Sequence, residues 1–302
     1  MPIITLVALL GLIVGVILES KKLITKSVVK RLSSILVQGI YPCLIFSTLL
    51  LRFKGPDLLA LWVLPVFVII ILGAGLAFGL FTRRLSGLTD ERSLRSYVFL
   101  TIMPNYSFVP LVLAQLIFGD VGVAYVALAS VGADISLWTF AFPQIAGAFN
   151  WKKIFSPALL SVIAAFLIQW LIPNRGEYWD TALFFLNLLG KITLPLSMVI
   201  LGVQLARGSP KIPVLEWKAQ GLIFTWRLIL CPLLLFMMLL PTEIPLVAKC
   251  VLMLSGSMPG AIVTVVLSEL YGADSRLAAT SILWGHALAI LTVPLWQILM
   301  RL

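Results

Sequence analysis

The stretches Met103–Asp120, MPNYSFVPLVLAQLIFGD, and Ser255–Asp274, SGSMPGAIVTVVLSELYGAD, decide the fold. Each is apolar, yet each carries Met-Pro flanked by polar or small residues. Proline removes a backbone donor and clashes with the preceding helical turn. The pattern therefore predicts two helices that are broken at membrane depth, which is tolerable only where the unwound backbone lines a cavity. A proline kink without function is the alternative.

The composition of the whole chain indicates a membrane protein. Of the 302 residues, 61% are hydrophobic and 11% are charged, and the mean hydropathy is +1.10. Soluble domains carry roughly 25% charged residues. Apolar segments long enough to cross a bilayer predict about ten helical spans, and they lack the alternation of a barrel. We expect them near residues 2–19, 32–51, 57–81, 97–118, 121–146, 157–172, 181–206, 219–240, 244–268 and 275–300.

The basic residues give the expected orientation. The net charge is +10, and 15 of the 22 Lys and Arg residues fall in the odd-numbered loops between these spans. Cytoplasmic loops are enriched in Lys and Arg. We therefore interpret the excess of Lys and Arg as the signal that orients the protein in the cell (inner) membrane, and not as a surface that binds nucleic acid. It predicts a multi-pass protein with both termini outside the cytoplasm, and the N-terminal segment is interpreted as a retained first span.

Prolines recur at nearly constant separation along the chain. Three pairs are separated by 153, 155 and 151 residues, namely Pro42 and Pro195, Pro104 and Pro259, and Pro143 and Pro294. An odd number of spans in each half forces the halves into opposite orientations. The sequence thus predicts an all-α integral membrane protein of two inverted five-helix repeats, an architecture typical of transporters. The expected domains are residues 1–147, a short cytoplasmic connection 148–156, and residues 157–302.

Asp134, Lys191 and His286 are ionisable residues that lie deep inside predicted spans. A charged side chain at such a depth is costly and faces the protein interior or a wet cavity. Gln38 and Lys191 each precede a repeat-related proline by four residues. One hypothesis is a coupling or support site for protons or sodium ions, and the other is an internal salt bridge between packed helices. For His286 a structural role is the more common one, because a lone histidine in a helix is more often structural than functional.

The motifs resemble the auxin efflux carrier family in its compact bacterial form, over essentially the whole chain. GIYPCLIFSTLL and LPLSMVILGVQLA resemble the proline motifs of the second and seventh helices, and MPGAIVTVVLSELYGAD resembles the ninth helix. Asn105, Phe108, Phe118 and Gly119 keep the spacing of the fourth helix. The departures from the family's pattern are Ser107 and Pro110 in place of glycines, and Val263, beside Thr264, where asparagine is common.

The resemblance implies crossing fourth and ninth helices and a carrier for small organic anions, such as malate, malonate or an auxin-like acid. We expect secondary active transport by alternating access, without a cofactor or metal. A sodium-coupled bile-acid-type symporter and a non-transporting membrane sensor are the alternatives, and no catalytic constellation favours an enzyme. Whether two copies form a homodimer stays open. The predicted substrate-binding residues are Pro104, Asn105, Ser107, Pro259, Gly260 and Thr264.

Overall fold

The computed structural model describes residues 2–54, 60–149, 151–172, 176–207, 216–261 and 263–302. Within these ranges the chain is helical, and the one pairing of β type is an isolated antiparallel bridge between Pro104 and Gly260. The helices are α1 Pro2–Ser20, α2 Lys26–Arg52, α3 Val63–Thr82, α4 Glu91–Ile102, α5 Phe108–Ala146, α6 Pro157–Leu171, α7 Glu177–Lys191, α8 Thr193–Arg207, α9 Trp217–Leu239, α10 Leu246–Gly256, α11 Val263–Leu270 and α12 Ser275–Arg301.

Side-chain caps fix where several of these helices begin. Thr25 accepts a hydrogen bond from the backbone N–H of Val28, and Asp90 and Ser156 cap α4 and α6 in the same way. Asp274 accepts from two backbone N–H groups at the start of α12. Such caps satisfy backbone donors that have no partner within the helix. The starts of these four helices are therefore encoded locally.

Six helical runs among the described residues are long and apolar enough to cross a membrane. They are Lys26–Arg52, Val63–Thr82, Phe108–Ala146, Glu177–Gln204, Trp217–Leu239 and Ser275–Arg301. Shorter apolar helices span Leu10–Ser20, Pro157–Leu171 and Leu246–Gly256. Together with the composition, these helices make the protein a multi-pass membrane protein. The beginning of the expected third span, at residue 57, lies outside the described residues.

Gly119 interrupts the long run of α5. Its backbone φ is 66° and its ψ is −154°, a conformation that is essentially restricted to glycine. The interruption separates a half-helix that begins at Phe108 from a second helix that begins at Asp120. The boundary between the expected fourth and fifth spans, at residues 118 to 121, coincides with this residue.

Large apolar side chains cover the outside of the bundle. Phe81 is 80% exposed, Trp170 is 77% exposed and Ile290 is 73% exposed. Exposed apolar surface of this extent is unfavourable in water and is favourable against lipid. The exterior is therefore the surface that faces the bilayer.

The described helices pack in two groups, which meet where α5 contacts α2, α6 and α8. In the first, α1 lies along α8, while α2 packs on α6 and α7. In the second, α3 packs on α4 and α5, and α10 packs on α5, α9 and α12. Glycines allow the closest contacts: a Cβ on Gly15 would lie 2.1 Å from the backbone oxygen of Val199, and one on Gly202 would lie 2.1 Å from that of Leu12. Helices approach this closely in membranes where small residues line the interface.

Candidate functional site

The two interrupted segments meet in the interior and are joined through their backbones. We refer to Met103–Ser107 and Ser257–Ala261 as the paired breaks. The N–H of Asn105 donates to the carbonyl oxygen of Pro259 at 2.7 Å, and the N–H of Ala261 donates to that of Met103 at 3.1 Å. Unwound backbone at this depth has no water to bond to, so each break satisfies donors and acceptors of the other.

The paired breaks are buried, yet polar groups around them lack partners. Asn105 is 6% exposed and Thr264 is fully buried. In the part of the chain that the structure describes, the Thr264 hydroxyl has no hydrogen-bond partner. Ser107, partly exposed at the start of α5, provides no side-chain cap. The N-terminus of α5 follows the first break and that of α11 follows the second, and the helix dipoles favour an anion there.

Pro259 and Gly260 fit tightly against neighbouring helices. A Cβ on Gly260 would lie 2.9 Å from Leu100 Cδ2, and a Cβ on Gly285 would lie 2.8 Å from Cβ of Pro259. Pro104 lines a small cavity beside the breaks. The three residues thus shape the backbone of the site and contribute no side-chain donor to it.

Arg227 lies against the second break, where the sequence analysis did not place a site residue. It is 1% exposed, and its Nη2 donates to the carbonyl oxygens of Gly256 at 3.3 Å and Met258 at 3.1 Å. A cation is favourable at the C-terminus of a helix, here that of α10. The neighbouring Trp226 donates from Nε1 to the carbonyl oxygen of Thr101 at 2.8 Å. The signal that could have found Arg227 was an arginine inside an apolar span.

Asp134 belongs to a network that reaches the first break. Its Oδ1 accepts from the hydroxyl of Tyr106 at 2.8 Å, and its Oδ2 accepts from the hydroxyl of Ser156 at 3.1 Å. Tyr106 directly follows Asn105. The structure thus connects Asp134 with the candidate site through one side chain.

Lys191 has a different partner. Its Nζ lies 4.0 Å from Oδ2 of Asp120, the oxygen that also pairs with Arg52. Oδ1 of Asp120 accepts from Gln115 Nε2 at 3.2 Å. The Lys191 side chain is 47% exposed. The contact with Asp120 is therefore a long ion pair of a half-exposed lysine, and the contacts of the described residues do not join Lys191 to Asp134.

His286 and Gln38 lie apart from this network. The Nδ1 of His286 is 2.8 Å from the carbonyl oxygen of Ile282 in the preceding turn of α12, and its Nε2 has no partner among the described residues. Gln38 lies on an exposed face of the π-helical segment within α2. The described ranges contain no group of three neighbouring His, Cys, Asp or Glu side chains that could hold a metal ion.

Comparison with known proteins assigns the class. The family described as Membrane transport protein matches residues 1–148 and 141–297. An uncharacterized transporter from Methanocaldococcus jannaschii, MJ1031, is 27% identical over 302 residues, covering 97% of this chain and 96% of that protein. The chain belongs to the membrane transport protein family, the auxin efflux carrier family that its motifs resemble. It is a transmembrane transport protein and not an enzyme.

Proposed function

We propose that the protein is a secondary active transporter that moves a small organic anion across the cell membrane by alternating access. The observation that carries the proposal is the pairing of the two breaks through the 2.7 Å hydrogen bond from Asn105 to Pro259. Broken helices whose ends meet at membrane depth are the substrate sites of many secondary transporters. The substrate would bind at the paired breaks.

The arrangement of the helices supports a ten-span inverted repeat. Three spans are interrupted and consist of two helices each: α4 with the first part of α5, α7 with α8, and α10 with α11. With these counted as single spans, five spans lie on each side of the connection 148–156. The breaks at Pro104 and Pro259 then occupy equivalent positions in the halves 1–147 and 157–302. We infer that α1, α2, α6, α7 and α8 form one body and that the remaining helices form the other, which moves against it.

The chemistry around the breaks favours an anion over a cation or a sugar. The N-termini of α5 and α11 provide partial positive charge, and the amide of Asn105 can donate to a carboxylate without adding a buried charge. The carboxylate that the contacts of the described residues join to the breaks is that of Asp134, and it accepts a hydrogen bond from the hydroxyl of Tyr106.

The proposal is tested by uptake into proteoliposomes that contain the purified protein. The substrates are radiolabelled acetate, malonate, malate and indole-3-acetate, each with and without a sodium or a proton gradient. We expect counterflow of at least one of these acids, and competition by the unlabelled acid but not by its neutral amide. Uptake that strictly requires sodium would favour the bile-acid-type symporter, and saturable binding without counterflow would favour a sensor.

An inactive variant is needed to exclude leakage through the bilayer. Gly260→Leu places a side chain where even a Cβ would lie 2.9 Å from Leu100. We expect this change to abolish counterflow. Gly221→Leu is the matched control, because no atom lies within 4 Å of a Cβ at that position of α9. Equal counterflow for wild type and Gly260→Leu would argue against a site at the paired breaks.

A further inference from the structure

Arg227 carries a positive charge in the interior, and no carboxylate of the described residues pairs with it. The ion pairs of the described residues join Arg52 and Lys191 to Asp120, and Arg207 to Glu19. The titratable group beside the guanidinium is the thiol of Cys231, which is in hydrogen-bonding contact with Arg227 and donates to the carbonyl oxygen of Gly256 at 3.5 Å. A buried, uncompensated charge is strongly unfavourable, so the site calls for a counter-ion.

The groups left over at this position are mainly hydrogen-bond donors. The Nη2 of Arg227 is used by two backbone carbonyls, whereas Nε and Nη1 have no acceptor within the described ranges. The hydroxyl of Ser255, one residue before the end of α10, also lacks a partner there. A guanidinium has only donors, and a hydroxyl can donate as well. A ligand that accepts several hydrogen bonds and donates none would satisfy all three atoms.

Arg227 and Ser255 line one small cavity together. Its wall is otherwise mainly apolar, with Leu72, Leu235 and Leu252 among the lining residues, and Pro104 and Tyr106 of the first break also line it. The centre of a water molecule can occupy about 20 Å³ there. A single water needs roughly 10–15 Å³ by this measure. The cavity therefore accommodates one particle of about the size of water and excludes an organic acid.

We propose that this cavity binds one monoatomic anion, chloride under physiological conditions, as the resident counter-ion of Arg227. Chloride is only slightly larger than water, carries one negative charge and accepts hydrogen bonds from all sides. It would neutralise the guanidinium that caps the C-terminus of α10 and so stabilise the second break. The site is separate from the proposed substrate site, and it does not require that the transported substrate be an anion.

The test is thermal unfolding of the purified protein after dialysis into sodium gluconate. Chloride, bromide and sulfate are then added at constant ionic strength, with gluconate as the balance. A ligand that binds only the folded state raises its stability with concentration. We expect the unfolding temperature to rise saturably with chloride and bromide and to stay constant with sulfate, which is too large for the cavity. An equal rise with all the salts, or none with chloride, would overturn the proposal.

Variants distinguish the anion site from a structural role of the arginine. Arg227→Gln should abolish the chloride dependence, and Arg227→Lys should retain part of it. Arg95→Gln is the matched control: Arg95 donates to the carbonyl oxygens of Ile145 and Gly272, each at 3.0 Å, away from the cavity. This control should lower the unfolding temperature and keep its chloride dependence. Undiminished dependence in Arg227→Gln would contradict the assignment.

A direct measurement covers the case in which Arg227→Gln does not fold. Equilibrium dialysis of the wild-type protein against radioactive chloride should give one bound ion per chain. Ser255→Ala, which removes a donor without removing the charge, should weaken this binding severalfold. A stoichiometry of zero for the wild type would refute the site whatever the variants do.

Discussion

The hydroxyl of Tyr106 donates to Oδ1 of Asp134 at 2.8 Å, and this bond connects the first break with a carboxylate on the helix that follows. Tyr106 lies next to Asn105 in the chain and lines the cavity that contains Arg227. The orientation of the first break is therefore tied to the hydrogen bonding of Asp134. Protonation of the Asp134 carboxylate would therefore alter the hydrogen bond that it accepts from Tyr106.

This connection leads to a prediction for proton coupling. If Asp134 takes part in proton coupling, we expect Asp134→Asn to abolish the pH dependence of net uptake, because the amide does not titrate. Ligand binding should survive this change. Tyr106→Phe should weaken the pH dependence by removing the donor. The measurement is uptake into proteoliposomes across a range of pH values.

Lys191→Gln serves as the comparison for Asp134→Asn. Lys191 lies near Asp120, so its replacement should leave the pH dependence as in the wild type. Normal pH dependence in both variants, with normal folding, would exclude a coupling role for either residue.

Asn105 gives the sharpest prediction for the substrate. Asn105→Ala should reduce affinity by about 1–3 kcal/mol, the contribution expected of a hydrogen bond to a charged group. Asn105→Asp, when ionised, should bind the anion more weakly than the alanine variant because of charge repulsion. Thr264→Val, on the opposing half-helix, should show a smaller loss. Affinity is measured by calorimetry on purified, monodisperse protein.

Asn187→Ala is the matched control for this series. The Asn187 amide donates to the hydroxyls of Ser47 and Thr48 at 3.3 Å, so its loss also removes polar contacts, but between α7 and α2. We expect lower stability with unchanged affinity. If wild type, Asn105→Ala and Asn105→Asp bind equally well, the anion site lies elsewhere.

The contact of α1 with α8 leads to a prediction for stability. Gly15→Ala introduces a Cβ that would lie 2.1 Å from the backbone oxygen of Val199, so the helices must separate. We expect a loss of roughly 1–3 kcal/mol, as for other overpacked interiors. Gly39→Ala is the control, since no atom lies within 4 Å of a Cβ there, and alanine favours the helix. Thermal unfolding in detergent compares the two, and equal stability would contradict the tight packing.

The orientation in the membrane is tested by labelling. Thr89 and Gly176 are both exposed, and the distribution of Lys and Arg places the first in the cytoplasm and the second outside. In a chain whose three native cysteines are replaced, Thr89→Cys should be shielded from an impermeant thiol reagent in intact cells, and Gly176→Cys should react. The reverse pattern would invert the orientation.

Several features of the fold could be predicted because they depend on local chemistry. The apolar segments indicated membrane helices, and Met-Pro beside small residues indicated the interruptions that the structure has after Ile102 and Gly256. The interruption at Gly119 coincides with a predicted span boundary, since only glycine adopts its backbone conformation readily. Each of these signals lies within a few residues of the feature that it produces.

The sequence by itself determined that the chain is a membrane protein with two interrupted helices and ionisable residues inside its spans. Only the tertiary structure decided which groups meet: Asn105 with Pro259, Tyr106 with Asp134, and Lys191 with Asp120. It also brought Arg227 to the carbonyl oxygens of Gly256 and Met258. Most of these partners are far apart in the chain, and hydrogen bonds and ion pairs act over a few ångströms, so the packing of the helices, and not the order of the residues, selects them.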